Sequence, residues 1–315
     1  MATPKEFTRL KADDPLVEEL ATGNHEWWNT LVKRAHKDPD LNIQVRGKYL
    51  SVYCRMGNLL KIEYKNKQVV CSLHYKYLIG DRRREYVDVT PSGKDLAVSV
   101  LSCDLVTSIL DKENFKQIKS NITALAGEEK CIQSKLVNHN RRTLLDAEIA
   151  FNESGAMIDA EEDKPSGGNK TRIDLVNFDK KCKSLVFIEL KQVFDERLYS
   201  NSKGFKEVND QIAKYIAFAK KHEGKLIEAY NDVIAVKKKL QLLPSDSVLW
   251  SAKIERIELK PILAVAAYKQ VIIDAMKALV KENLKEDNLA GLYIFGETVD
   301  LNLSGDKSKN KELFI

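Results

Sequence analysis

Asp174, Glu189 and Lys191 stand inside two of the most strand-like stretches of the sequence, which reads "TRIDLVNFDKKCKSLVFIELKQ" from Thr171 to Gln192. Residues two apart on a strand share a face, so Glu189 and Lys191 project together while Leu190 turns to the opposite side. A charge among Val, Ile and Phe is costly to bury unless it is paired or binds a metal. If the two segments pair as neighbouring strands, Asp174 comes beside Glu189. Two converging carboxylates are hard oxygen ligands suited to Mg²⁺ or Mn²⁺. A lysine beside such an ion can stabilise anionic charge or help deprotonate a bound water. That combination suits hydrolysis of a phosphodiester. Upstream, "RTLLDAEIAFN" alternates, with Leu145, Ala147, Ile149 and Phe151 on one face and Asp146 and Glu148 on a polar one. Glu148 could supply a further ligand.

Downstream, "QIAKY" sets Gln211 and Tyr215 one helical turn apart on one face, beside a core stripe that includes Val208, Ile212 and Ala219. Asp174, fourteen intervening residues, then Glu189-Leu-Lys191 resembles the motif of the PD-(D/E)XK nuclease superfamily. The Gln-x-x-x-Tyr spacing and the "GGNKTRID" lead-in are similar to its RecB-like branch. The resemblance spans roughly Leu144 to Tyr268. It implies Asp174, Glu189 and Glu148 as ligands of Mg²⁺ or Mn²⁺, and Lys191 as the water-activating or transition-state lysine. It also implies a helix carrying Gln211 and Tyr215 that positions the site and the nucleic acid. Ile173 stands where the eponymous proline would be, and Glu148 where several RecB-like members use a histidine.

Glu-x-Lys by itself says little, since it recurs at Glu63, Glu128, Glu162, Glu223 and Glu258. Glu258 to Lys260 is the strongest decoy because "IELKP" is also strand-like. Its best upstream acid, Asp246, follows Pro244 in a loop, and no Gln-x-x-x-Tyr helix comes after it. Arg141, Arg142, Arg172 and Lys214 are the cations placed to hold phosphates. Arg82, Arg83 and Arg84 suit either a solvated hairpin loop or a nucleic-acid contact. Trp27 and Trp28 suit helix packing or base stacking. His25, His36, His74, His139 and His222 show neither ligand spacing nor a triad partner.

These residues need elements to hold them. Residues 1–127 read as a β-rich N-terminal domain for targeting or regulation: a short helix over "HEWWNTLVKRAH", an antiparallel meander, and a helical stretch from about Leu96. Residues 128–303 read as the nuclease-like domain, and 304–315 as a mobile tail. In the second domain three strands precede a long helix from Lys203 to about Leu243, ended by Pro244. The strand "KIERIELKPILAVAAY", the helix "KQVIIDAMKALVKENL" and the strand "AGLYIFGETVDLNL" follow. That is an α/β pattern: a mixed-sheet, restriction-endonuclease-like core with helices on both faces.

The 51 basic and 46 acidic residues leave a charge of +5, compatible with a nucleic-acid partner but too small to argue for one. Five unclustered cysteines fit reduced thiols. No apolar run spans a membrane and the N-terminus has no signal-peptide core, so the expected setting is cytoplasmic. The function expected is Mg²⁺-dependent hydrolysis of DNA, with a homodimer possible for symmetric cutting. The alternatives are a non-catalytic module binding nucleic acid or protein on the same fold, and a structural protein.

Overall fold

The computed structural model describes residues 8–74, 77, 86–89, 112–151, 157–158, 171–193, 195–198, 201–266 and 288–295. Arg82–Arg84, Cys103, most of the polar connection after Phe151, the helix expected over 269–284 and the tail lie outside them. Two compact units emerge: one is Met1–Thr8, Lys135–Ile234 and Ser245–Ile315, the other Arg9–Ser134 with Ala235–Pro244. The division after Ser134 falls inside a helix, seven residues beyond the boundary expected at 127/128.

In the second-named unit, helices α1 (Pro15–Ala21) and α2 (Glu26–Lys37) precede a meander of four antiparallel strands. These are β1 (Leu41–Val45), β2 (Tyr49–Cys54), β3 (Gly57–Lys65) and β4 (Gln68–His74), with the short β5 (Tyr86–Val89) on the β4 edge. Arg55–Met56 and Asn66–Lys67 join the strands as two-residue turns, and all four have positive φ, as tight hairpins require. Trp27 and Trp28 are buried on α2, in edge contact at 6.0 Å, so packing accounts for both. Helix α3 (Lys112–Leu125) lies against the meander: a Cβ on Gly57 would sit 2.9 Å from Ile122 Cγ2 and 3.0 Å from Tyr77 Oη. A larger residue there would force Ile122 or Tyr77 to shift.

The other unit is built on a mixed sheet in the order β11-β10-β9-β8-β6, with a two-residue strand β7 (Met157–Ile158) at the β6 edge. Helix α4 (Glu128–His139) leads through a turn into β6 (Leu144–Phe151), and β8 (Thr171–Asp179) and β9 (Ser184–Gln192) form a hairpin. β9 and β10 (Arg256–Ala266) are parallel, as are β10 and β11 (Gly291–Phe295), while β8 and β6 run antiparallel to their neighbours. Parallel neighbours need a crossover, which α5 (Asn201–Lys239) supplies between β9 and β10. Val208 and Ile212 of α5 pack on Leu263 and Val265 of β10 and on Leu292 and Ile294 of β11. Leu263 and Val265 are register partners of Glu189 and Lys191. Helix α5 therefore covers the sheet face that carries the motif.

Three features differ from expectation. α5 ends at Lys239, with Gln241 at φ 55°, so the helix stops before Pro244 is reached. It kinks at His222, where φ is −117° and ψ 17°. Its final residues belong with the meander unit: Lys239 Nζ donates to Ala12 O at 2.8 Å, and His36 Nε2 lies 2.7 Å from Gln241 O.

Candidate functional site

Register aligns the acids in one cross-strand row. Ala147 pairs with Leu175 and Ile149 with Ile173, which sets Glu148 opposite Asp174. Leu175 pairs with Ile188, and one more step of the same register sets Asp174 opposite Glu189. Asp174 Oδ2 accepts a hydrogen bond from Leu190 N at 2.7 Å, across the hairpin.

Glu189 is the hub. It is 2% exposed, and Lys191 is 4% exposed. Lys191 Nζ donates to Glu189 Oε1 in a buried ion pair. Gln211 Nε2 donates to the same oxygen at 2.8 Å, and the Tyr215 hydroxyl donates to Oε2. That hydroxyl also meets the Arg172 carbonyl and receives Gln211 Nε2 at 2.6 Å. So helix α5 grips the motif glutamate with two side chains one turn apart. Tyr215 is fully buried, and Phe151, 6.2 Å from it, stacks on Phe218 at 3.7 Å. Burial, then the charges of Glu189 and Asp174, push the Tyr215 phenol well above its ordinary pKa. It stays a neutral donor, and both acids lie within electrostatic reach of its oxygen.

The expected three-acid ligand set is not gathered. Among the described residues no group of three or more His, Cys, Asp or Glu could hold a metal ion. Glu148 shares the row by register, but its φ of 53° is left-handed and interrupts the pleat there. Two carboxylates remain, Asp174 and Glu189. They fit Mg²⁺ or Mn²⁺ in kind, since such ions take one or two protein oxygens and keep several waters.

Asp146 is not on a polar face either. It is fully buried, accepting from Ala147 N at 2.8 Å and facing the Tyr230 hydroxyl of α5 at 3.4 Å. The long helix lies over this face, so an acid there is enclosed. Arg142, expected near phosphates, pairs with Asp246, and its carbonyl accepts from Ser247 Oγ at 2.7 Å. Arg141 and Arg142 precede Leu144, and the four strand steps from Leu144 to Glu148 alone cover about 13 Å. They sit toward the far end of β6. Arg172 and Lys214 are exposed, on β8 and on the helix that grips Glu189. In the decoy, Glu258 is half-buried and Lys260 exposed, beside an irregularity in β10 that ends at Ile262.

The residues just past β9 escaped sequence reasoning. Asp195 and Arg197 form a hydrogen-bonded fork four and six positions after Lys191. An Asp-x-Arg pair is too common a spacing to stand out without the strand end that precedes it. Comparisons with family models, curated proteins and solved structures returned no match.

Proposed function

We propose that this chain is a divalent-metal-dependent nuclease that hydrolyses phosphodiester bonds in DNA, of the PD-(D/E)XK type and its RecB-like branch. The observation that carries this is the convergence on Glu189: a lysine two residues along its strand, and Gln211 and Tyr215 from the crossing helix. These four side chains come from segments chosen by motif spacing alone.

Asp174 and Glu189 would hold the Mg²⁺ or Mn²⁺, which when bound supplies positive charge to the phosphate and acidifies a water. Tyr215 and Gln211 fix the Glu189 carboxylate by donating to its two oxygens. Leu190 N fixes Asp174 in the same way. Lys191 holds its ammonium against Glu189, at the edge of the acid pair, where it can stabilise developing negative charge. Arg172 and Lys214 are exposed cations suited to strand phosphates.

One observation favours the alternative, a binding module without catalysis. Glu189 and Lys191 satisfy each other in a buried pair, an arrangement that can serve structure alone. Nicking of supercoiled plasmid with Mg²⁺ or Mn²⁺ separates the two. Lys191→Ala and Lys191→Met should each lose about 10²–10⁴-fold in rate, while Lys260→Ala stays within a few-fold of wild type. Circular dichroism checks that the variants fold, since opening a buried pair costs about 3–5 kcal/mol. If Lys260→Ala is inactive and Lys191→Met normal, the wrong Glu-Leu-Lys has been chosen. If the wild type cuts neither DNA nor RNA with either metal, the nuclease is refuted.

A further inference from the structure

The Asp195–Arg197 fork lies on the short turn of helix that leaves β9. Asp195 Oδ1 accepts from Arg197 N at 3.0 Å and Nε at 2.8 Å, and Oδ2 accepts from Nη2 at 2.6 Å. The turn is anchored on both sides. Val193 and Leu198 are fully buried in the core cluster, and Leu198 N donates to Asp195 O at 2.8 Å. Burial would raise the Asp195 carboxyl. Hydrogen bonds and charge from Arg197, with a further contribution from Lys191, overcome that and hold it below its ordinary range. The fork begins four residues past Lys191, where the chain leaves β9 and Val193 N is still bonded to Ala266 O of β10.

An ion pair this close in sequence stabilises a fold little. What it achieves is orientation of a planar guanidinium, whose shape matches phosphate oxygens. A polyanionic substrate approaching a row of acids needs cations that it can touch. The Lys191 side chain is 4% exposed and committed to Glu189, whereas that of Arg197 is 42% exposed. We propose that Arg197, oriented by Asp195, binds a backbone phosphate of the nucleic-acid strand that enters the Glu189–Lys191 site. This rests on the site acting on nucleic acid.

Fluorescence anisotropy with labelled single-stranded and duplex DNA, in EDTA and across a salt series, tests it beside the plasmid assay. Arg197→Ala should weaken binding about 10-fold and lower the salt slope by about 0.7–0.9, the value of one phosphate contact. Arg197→Lys should restore the slope but only part of the affinity, because an ammonium lacks the fork. Asp195→Asn should fall between. Lys180→Ala, exposed in the β8–β9 turn, should match wild type. Equal affinity and slope for Arg197→Ala and wild type would overturn the proposal, as would an equal loss in Lys180→Ala. A wild type that binds but does not cut, with the loss in Arg197→Ala intact, keeps the phosphate site and sinks only the nuclease. A wild type that neither binds nor cuts overturns both.

Discussion

Replacing Tyr215 by Phe removes one oxygen from a fully buried residue and leaves the ring where Phe151 and Phe218 pack. The lost oxygen donates to the Glu189 carboxylate, faces the Arg172 carbonyl and receives Gln211. A hydrogen bond to a charged group contributes about 1.5–3 kcal/mol, and the ring creates no cavity. A destabilisation of about 2 kcal/mol follows, read as the difference in urea-unfolding free energy by circular dichroism. Because the phenol is pushed well above its ordinary pKa, its contribution is fully present below about pH 10 and is lost only as pH rises through the folded value. The difference should therefore be the same at pH 7 and pH 9. If the hydroxyl's hold on Glu189 is needed during cleavage, 2 kcal/mol corresponds to about a 30-fold slower nicking rate. Tyr215→Phe combined with Gln211→Ala should be non-additive by about 0.5–3 kcal/mol, since the two side chains touch. A Phe variant within 0.5 kcal/mol of wild type would refute the hydrogen-bonded grip. A stable loss with unchanged nicking would refute only its role in positioning.

Two further tests address the meander unit. Asp40 is partly buried, which would raise its carboxyl, but hydrogen bonds and charges from Lys119 and Arg55 outweigh burial and hold it low. Its stabilisation is present above about pH 4 and is lost as pH falls through the folded value. Lys119→Met, which also releases Asp38, should cost about 1 kcal/mol at pH 7 after solvent screening, with the gap narrowing by pH 3. An unchanged gap in acid would show the pair is not the cause. Gly57→Ala should cost about 1–3 kcal/mol in unfolding measurements, because the added carbon meets Ile122 and Tyr77 at about 3 Å. A neutral alanine would mean that α3 yields.

The motif was legible in sequence because both of its periodicities are local. Glu189 and Lys191 share a face through the two-residue repeat of a strand, and Gln211 and Tyr215 share one through the helical turn. Apolar runs around them also marked β6, β8, β9, β10, β11 and the long helix, while the two-residue β7 falls in a stretch that reads as a polar connection. What those side chains touch was not legible. The spacing put Gln211 on one face of its helix without naming a partner; that it donates to Glu189 was decided by where α5 crosses the sheet. Alternation assigned Asp146 to a polar face, but Tyr230, 84 residues away in sequence, closes over it. Helices α1 and α4 were not expected; α4 has little apolar periodicity, whereas α1 is marked by Pro15 at its start and by Leu16, Val17 and Leu20 on one face.

The composition of each segment by itself determined strands, helix and which side chains share a face within one element, because these depend on residues two to four apart. Tertiary structure decided the rest. It gave Glu148 a left-handed backbone within its strand, and assigned Ala235–Pro244 to the meander unit. It also folded Asp195 and Arg197 into a hydrogen-bonded fork on the turn that leaves β9. Each of these depends on how separate elements pack, and the free energy of packing is a sum over residues far apart in the chain. No window of sequence contains it.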